Sequence, residues 1–250
     1  MPSFMSLARP VALACAGALL ASGAATAASA GVPATVPASV AALPASIEFI
    51  DVSADASSPY FSEHAEAIDW AQDLGIVRGW TTPAGVAFRP EDLARRDAVA
   101  AFLYRWAGEP DLTFEESAFV DVSSDPESPL YSEHWRAITW MYEWGLSEGW
   151  EDGTYRPRET VTRDAVATFV HRMFGEPPAI VEGEGFVDVS DAEGEPTYSE
   201  HAAAIAWLDE TGIARGWDTP AGAEFRPVAP IKRDAIAAFL YRAELYALNG

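Results

Sequence analysis

From residue 49 onward one short unit is written three times, and that repetition limits what the chain can become. Phe49-Ile50-Asp51-Val52-Ser53 returns as Phe119-Val120-Asp121-Val122-Ser123 and as Phe186-Val187-Asp188-Val189-Ser190, at offsets of 70 and 67 residues. Ser62-Glu63-His64, Ser132-Glu133-His134 and Ser199-Glu200-His201 follow, each ahead of an Ala-Ile-x-Trp run. Next come Gly75 to Trp80, Gly145 to Trp150 and Gly212 to Trp217. An aromatic-Arg-Pro step at Phe88, Tyr155 and Phe225 and an Arg-Asp-Ala helix start close each unit. There the offsets become 67 and 70, because the middle copy has a shorter turn, Glu151-Asp152-Gly153, in a loop that tolerates deletion. One helical pair of this size cannot bury its apolar side alone, so the copies must pack on one another.

Within each unit the periodicity is helical. Ser62, Ser132 and Ser199 are candidate N-caps, with Glu63, Glu133 and Glu200 in the first turn and Gly75, Gly145 and Gly212 as stops. A second helix carries Val99, Phe102, Leu103 and Trp106, then Val166, Phe169, Val170 and Met173, then Ile236, Phe239, Leu240 and Ala243. That spacing is one face of a helix. The expected fold class is all-α, three tandem helix-loop-helix repeats at 49–118, 119–185 and 186–250. Periodicity leaves open whether they form a line or a closed three-fold cluster.

Ahead of the repeats, Arg9, the apolar run Val11 to Ala25 and small-residue cleavage patterns read as a secretory signal peptide over 1–30, cut after Ala27, Ala28 or Ala30. Cys15, the sole cysteine, lies inside it, so the mature chain has no disulfide. Residues 31–48 read as an Ala/Pro linker. The net charge is −22, and removing Arg9 leaves 15 cations against 38 acids, 15 − 38 = −23. Such acidity argues against nucleic acid and against basic-patch docking on anionic lipid. No stretch of the mature chain is long and apolar enough to span a bilayer.

The units resemble the S-layer homology domain from Phe49 to Arg242. The shared pattern is Phe-x-Asp-Val, a Gly-Ile helix end, a Gly-Trp turn, an aromatic-x-Pro step and a helix start like Thr-Arg-Ala-Glu. The resemblance implies a pseudo-three-fold cluster around a central three-helix bundle, with grooves between neighbours. It also implies a secreted, cell-wall location and non-covalent attachment to acidic secondary cell-wall polysaccharide, often carrying pyruvylated sugars. The chain departs from the pattern in two places. Only Thr162 matches the threonine, Arg95 and Lys232 standing there in the other copies, and Ala98, Ala165 and Ala235 replace the glutamate.

Arg96, Arg163 and Arg233 begin the second helices, where a cation opposes the helix dipole. One reading is an arginine fork for a carboxylate, helped by the helix N-terminus; the other is that Asp97, Asp164 and Asp234 neutralise them. Asp51, Asp121 and Asp188 contact sugar hydroxyls or hold a turn. Trp80, Trp150 and Trp217 stack on a sugar ring or lid the core. Gly79, Gly149 and Gly216 complete the candidate ligand-binding set, and their simplest role is turn conformation. Arg89, Arg156 and Arg226 also recur, as do Arg105, Arg172 and Arg242, which suit a helix C-terminal half.

One reading of His64, His134 and His201 is convergence on zinc; the other, helix starts contacting the next unit, suits them better. The Asp-x-Ser runs lack a calcium loop's acids. No metal or cofactor is expected. The acids at matched positions occur three times, whereas an active site needs one distinct constellation, and no nucleophile motif or phosphate loop is present. The expected function is non-catalytic wall anchoring. The alternative is a self-assembling surface-layer protein using Trp135, Tyr142 and Trp144 of the middle copy.

Overall fold

The computed structural model describes residues 48–179 and 185–249; the signal segment 1–30 and the linker as far as residue 47 lie outside the described residues. The first helix of each copy is nine residues long: α1 (Ala65–Asp73), α3 (Trp135–Glu143) and α5 (Ala202–Glu210). None is capped by its serine. Instead the Ser62, Ser132 and Ser199 hydroxyls accept the N–H of His64, His134 and His201 at 3.1, 3.2 and 3.2 Å. A serine bonding two residues onward forms a local turn that competes with capping. The helices therefore start later than expected, and Glu63, Glu133 and Glu200 precede them. Gly75, Gly145 and Gly212 end them in the left-handed region, φ 69°, 68° and 67°, as the sequence suggested.

The second helices, α2 (Arg96–Trp106), α4 (Arg163–Met173) and α6 (Arg233–Asn249), begin at the expected arginines. Their apolar stripes are buried throughout.

The all-α expectation needs correction. Two small antiparallel sheets stand between the helices of the outer copies: β1 (Trp80–Thr82) with β2 (Gly85–Ala87), and β3 (Trp217–Thr219) with β4 (Gly222–Glu224). Thr82 Oγ1 accepts from Ala84 N–H at 3.2 Å and donates to Gly85 O at 2.8 Å, which locks a two-residue loop. Thr219 repeats the arrangement around Gly222. The middle copy is three residues shorter and makes only a turn, Trp150 N–H bonding Thr154 O at 2.9 Å.

Each first helix packs mainly on another copy's second helix: α3 on α2, α5 on α4, and α1 on α6. The N- and C-terminal copies are thus joined. At the loops before the second helices, Ala94 N–H donates to Ile231 O at 2.9 Å, Ile231 N–H to Val161 O at 3.0 Å, and Val161 N–H to Ala94 O at 3.1 Å. These three bonds return to their origin and satisfy buried backbone groups that no helix or strand serves. Phe88, Tyr155 and Phe225 are fully buried beside them, each contributing about 1.5–3 kcal/mol through apolar burial.

Candidate functional site

The Phe-x-Asp-Val aspartates face inward to the chain's own backbone. Asp121 Oδ1 accepts Tyr155 N–H at 2.7 Å and Oδ2 accepts Arg156 N–H at 2.8 Å. Asp51 clamps Phe88 and Arg89, and Asp188 clamps Phe225 and Arg226, at 2.7 Å in all four bonds. The clamped arginines adopt φ of 58°, 57° and 60°, a conformation that costs a side-chain-bearing residue about 1–2 kcal/mol. Charge-assisted bonds of this kind offset that cost. Of the two roles open to these aspartates, the turn role accounts for both oxygens.

That backbone twist aims each clamped arginine at the neighbouring tryptophan. Arg156 lies 4.3 Å from the Trp150 ring centroid, and Arg96 lies 4.2 Å from it. Trp217 stands between Arg226 at 4.4 Å and Arg163 at 4.3 Å, and Trp80 between Arg89 at 4.5 Å and Arg233 at 4.4 Å. In every stack one arginine comes from the tryptophan's own copy and one from another. Trp80 and Trp217 remain 41% and 40% exposed, so they are rims rather than lids over the core.

Arg96, Arg163 and Arg233 are themselves buried, 8%, 5% and 4% exposed, and each is pinned through Nε. Arg96 donates to Tyr155 O at 2.9 Å, Arg163 to Phe225 O at 2.7 Å and Arg233 to Phe88 O at 3.0 Å. Burial pushes Arg163 and Arg233 down to about 10 and lowers Arg96 as well, yet all three stay charged at neutral pH. The terminal nitrogens of Arg96 and Arg163 make no hydrogen bond within the described residues.

Two expectations about these helix starts fail. Asp97 pairs with Arg95 and caps Ala98 N–H, Asp164 takes Thr162 and Ala165 N–H, and Asp234 takes Ala235 N–H. They do not neutralise the buried arginines. Nor are the helix N-termini free for an anion. Arg96 and Asp97 N–H bond Glu159 and Pro157 carbonyls at 2.9 and 3.0 Å, and the other two helices use the matching carbonyls. The interlocking of copies consumes these donors.

Gly149 has a structural reason. A Cβ there would lie 2.5 Å from the Phe119 ring and 2.6 Å from Thr154 O, and Gly79 and Gly216 are crowded by Phe49 and Phe186 in the same way. Arg105, Arg172 and Arg242 bond the Ile76, Leu146 and Ile213 carbonyls just past each first helix. His201 Nδ1 meets Thr168 Oγ1 of α4 at 3.0 Å. Among the described residues no group of three or more His, Cys, Asp or Glu is placed to hold a metal. Trp135 and Trp144 pack against the core; only Tyr142 of that trio is exposed, and it meets Phe119 edge to face at 5.5 Å. The arginines that sequence reasoning left out of the site are Arg89, Arg156 and Arg226. Their recurrence after a buried aromatic and before a proline was the available signal.

Together these features define a repeat module whose copies interlock through arginine and tryptophan stacks. Residues 131–167, within the middle copy, match the S-layer homology domain. It is 30% identical over 183 residues to cell surface glycoprotein 1 of Acetivibrio thermocellus, covering 70% of this chain and 7% of that protein. It is 29% identical over 174 residues to a cellulosome-anchoring protein of the same organism, covering 67% of this chain and 36% of that one. The chain therefore spans only a minor part of either relative. No helix among the described residues is long and apolar enough to cross a membrane.

Proposed function

We propose that the three repeats form a closed pseudo-three-fold cluster that anchors the protein non-covalently to acidic cell-wall polysaccharide, at the cell surface and without catalysis. The observation that carries this reading is the Arg–Trp–Arg stack at each junction of copies. A chain of net charge −22 keeps partly exposed tryptophans flanked by cations there. The guanidinium edges suit a sugar's carboxylate, and the ring edges left uncovered offer its hydroxyls and carbons a contact surface. The ring of backbone bonds through Ala94, Val161 and Ile231 supports three-fold closure. The names of the relatives, a surface glycoprotein and an anchoring protein, support the location. Self-association has weaker support, because Trp135 and Trp144 are engaged with the core.

The test is co-sedimentation of the purified protein with wall sacculi, native and stripped of their secondary polymer. Retention on native sacculi alone is expected. Equal retention on both would defeat polymer anchoring, and retention on neither would defeat anchoring altogether.

A further inference from the structure

The third copy ends its second helix differently from the other two, and the geometry points to residues 244–249 of α6 as a strap that ties all three copies together. The strap is independent of polymer binding. α2 and α4 have eleven residues each, whereas α6 has seventeen. At the positions where α2 and α4 have just ended stand Gly108-Glu109 and Gly175-Glu176; the matched pair beyond Arg233 is Leu245-Tyr246. The two glycines take φ of 84° and 81° and the two glutamates 53° and 55°, which turns the chain out of the helix. Leu245 and Tyr246 carry no such stop, and leucine favours helix, so α6 runs on.

The added turns reach every copy. Glu244 Oε2 accepts the Trp106 Nε1–H of the first copy at 2.9 Å. The Tyr246 ring meets Phe174 of the second copy at 5.8 Å and Trp207 of the third at 5.6 Å, edge to face in both cases. Phe174 itself lies 6.3 Å from Trp106 and 5.1 Å from Trp207, so the rings are continuous across the copies. One turn earlier the third copy departs again. Tyr104 O–H and His171 Nε2 hold the outgoing chain of their own copies through Pro110 O and Pro177 O, at 2.9 and 2.8 Å. The matched Tyr241 donates instead to Glu66 of α1 at 2.8 Å and packs on Trp70 at 5.4 Å. The backbone bonds through Ala94, Val161 and Ile231 join the copies where the second helices begin. The strap joins them again about 18 Å further along, at about 1.5 Å of rise per residue.

Hydrogen exchange of the whole protein, read amide by amide by NMR, tests this. A variant with Glu244→Ala, Leu245→Gly and Tyr246→Glu carries the ending of the first copy, Ala107-Gly108-Glu109, in the third. The Gly108 and Gly175 amides bond Arg105 O and Arg172 O at 2.9 and 3.0 Å, in copies the substitutions do not touch. Both should exchange about tenfold or more faster in the variant, while the Ala94, Val161 and Ile231 amides keep their protection. Tyr246→Ser should speed the Gly175 amide too, and Tyr246→Phe, which keeps the ring, should leave it at the wild-type rate. A change confined to residues 233–249 would overturn the proposal and make the added turns a passive tail. If the triple variant fails to fold, Tyr246→Ser decides, and a wild-type rate at Gly175 would overturn the strap.

Discussion

Asp121→Ala separates a turn clamp from a sugar contact. The carboxylate accepts two backbone N–H groups at 2.7 and 2.8 Å. Hydrogen bonds to a charged group contribute about 1.5–3 kcal/mol each, and two bonds to one clamp fall short of additive. The change also leaves Arg156 in its left-handed conformation, φ 57°, with its N–H unpaired. A loss of about 3–4 kcal/mol follows, equivalent to a fall of about 10 °C in Tm for a domain of this size. Asp121→Asn keeps one acceptor but turns an amide NH2 toward a donor, so about 2 kcal/mol is expected. Urea unfolding followed by tryptophan fluorescence measures both. Stability unchanged within about 0.5 kcal/mol, with glycan binding abolished, would refute the clamp and return Asp121 to the ligand.

Gly149→Ala should cost about 3 kcal/mol or more, since its Cβ overlaps Thr154 O and Phe119 as well as requiring φ 75°; Gly75→Ala, with open space around it, should cost only about 1–2 kcal/mol, and paired urea curves compare them. Burial raises Asp234 to about 6, above its unfolded value, so its contribution is full below about pH 4 and is lost as pH rises through 6. Asp234→Asn should therefore match wild type near pH 4 and exceed it at pH 7.5 by on the order of 2 kcal/mol, measured by urea unfolding at both pH values. Arg163→Lys keeps the charge but loses the Nε bond to Phe225 O and the planar stack on Trp217, and should lower stability by about 1–3 kcal/mol in the same assay.

The helical elements were readable because local rules place them. Arg96, Arg163 and Arg233 open their helices, Gly75, Gly145 and Gly212 close the earlier ones, and the apolar stripes are buried as spaced. The two hairpins are silent in the sequence because three-residue strands carry no usable alternation, and a Thr82 or Thr219 hydroxyl fixes them rather than a hydrophobic period. The serine turns ahead of α1, α3 and α5 look like caps in sequence because the same residue types serve both purposes. The buried arginines and the tryptophans are legible as a list of residues, not as an arrangement. The arginine–tryptophan spacing along the chain gives no sign that Arg96 reaches Trp150, 54 positions on (150 − 96 = 54). That pairing depends on how copies interlock, and the same interlocking consumes the helix N-termini that a sequence reading offers to an anion.

The proposed recognition of carboxylate by the arginines that flank the tryptophans can be tested on one polymer in two chemical forms. The purified wall polysaccharide would be titrated against the protein before and after reduction of its carboxyl groups to alcohols, with sugar rings and chain length unchanged. Binding to the native polymer, falling by about tenfold or more after reduction and declining with added salt, is the expected result. Equal affinity for both forms would show that the arginines serve only to lock the repeats together.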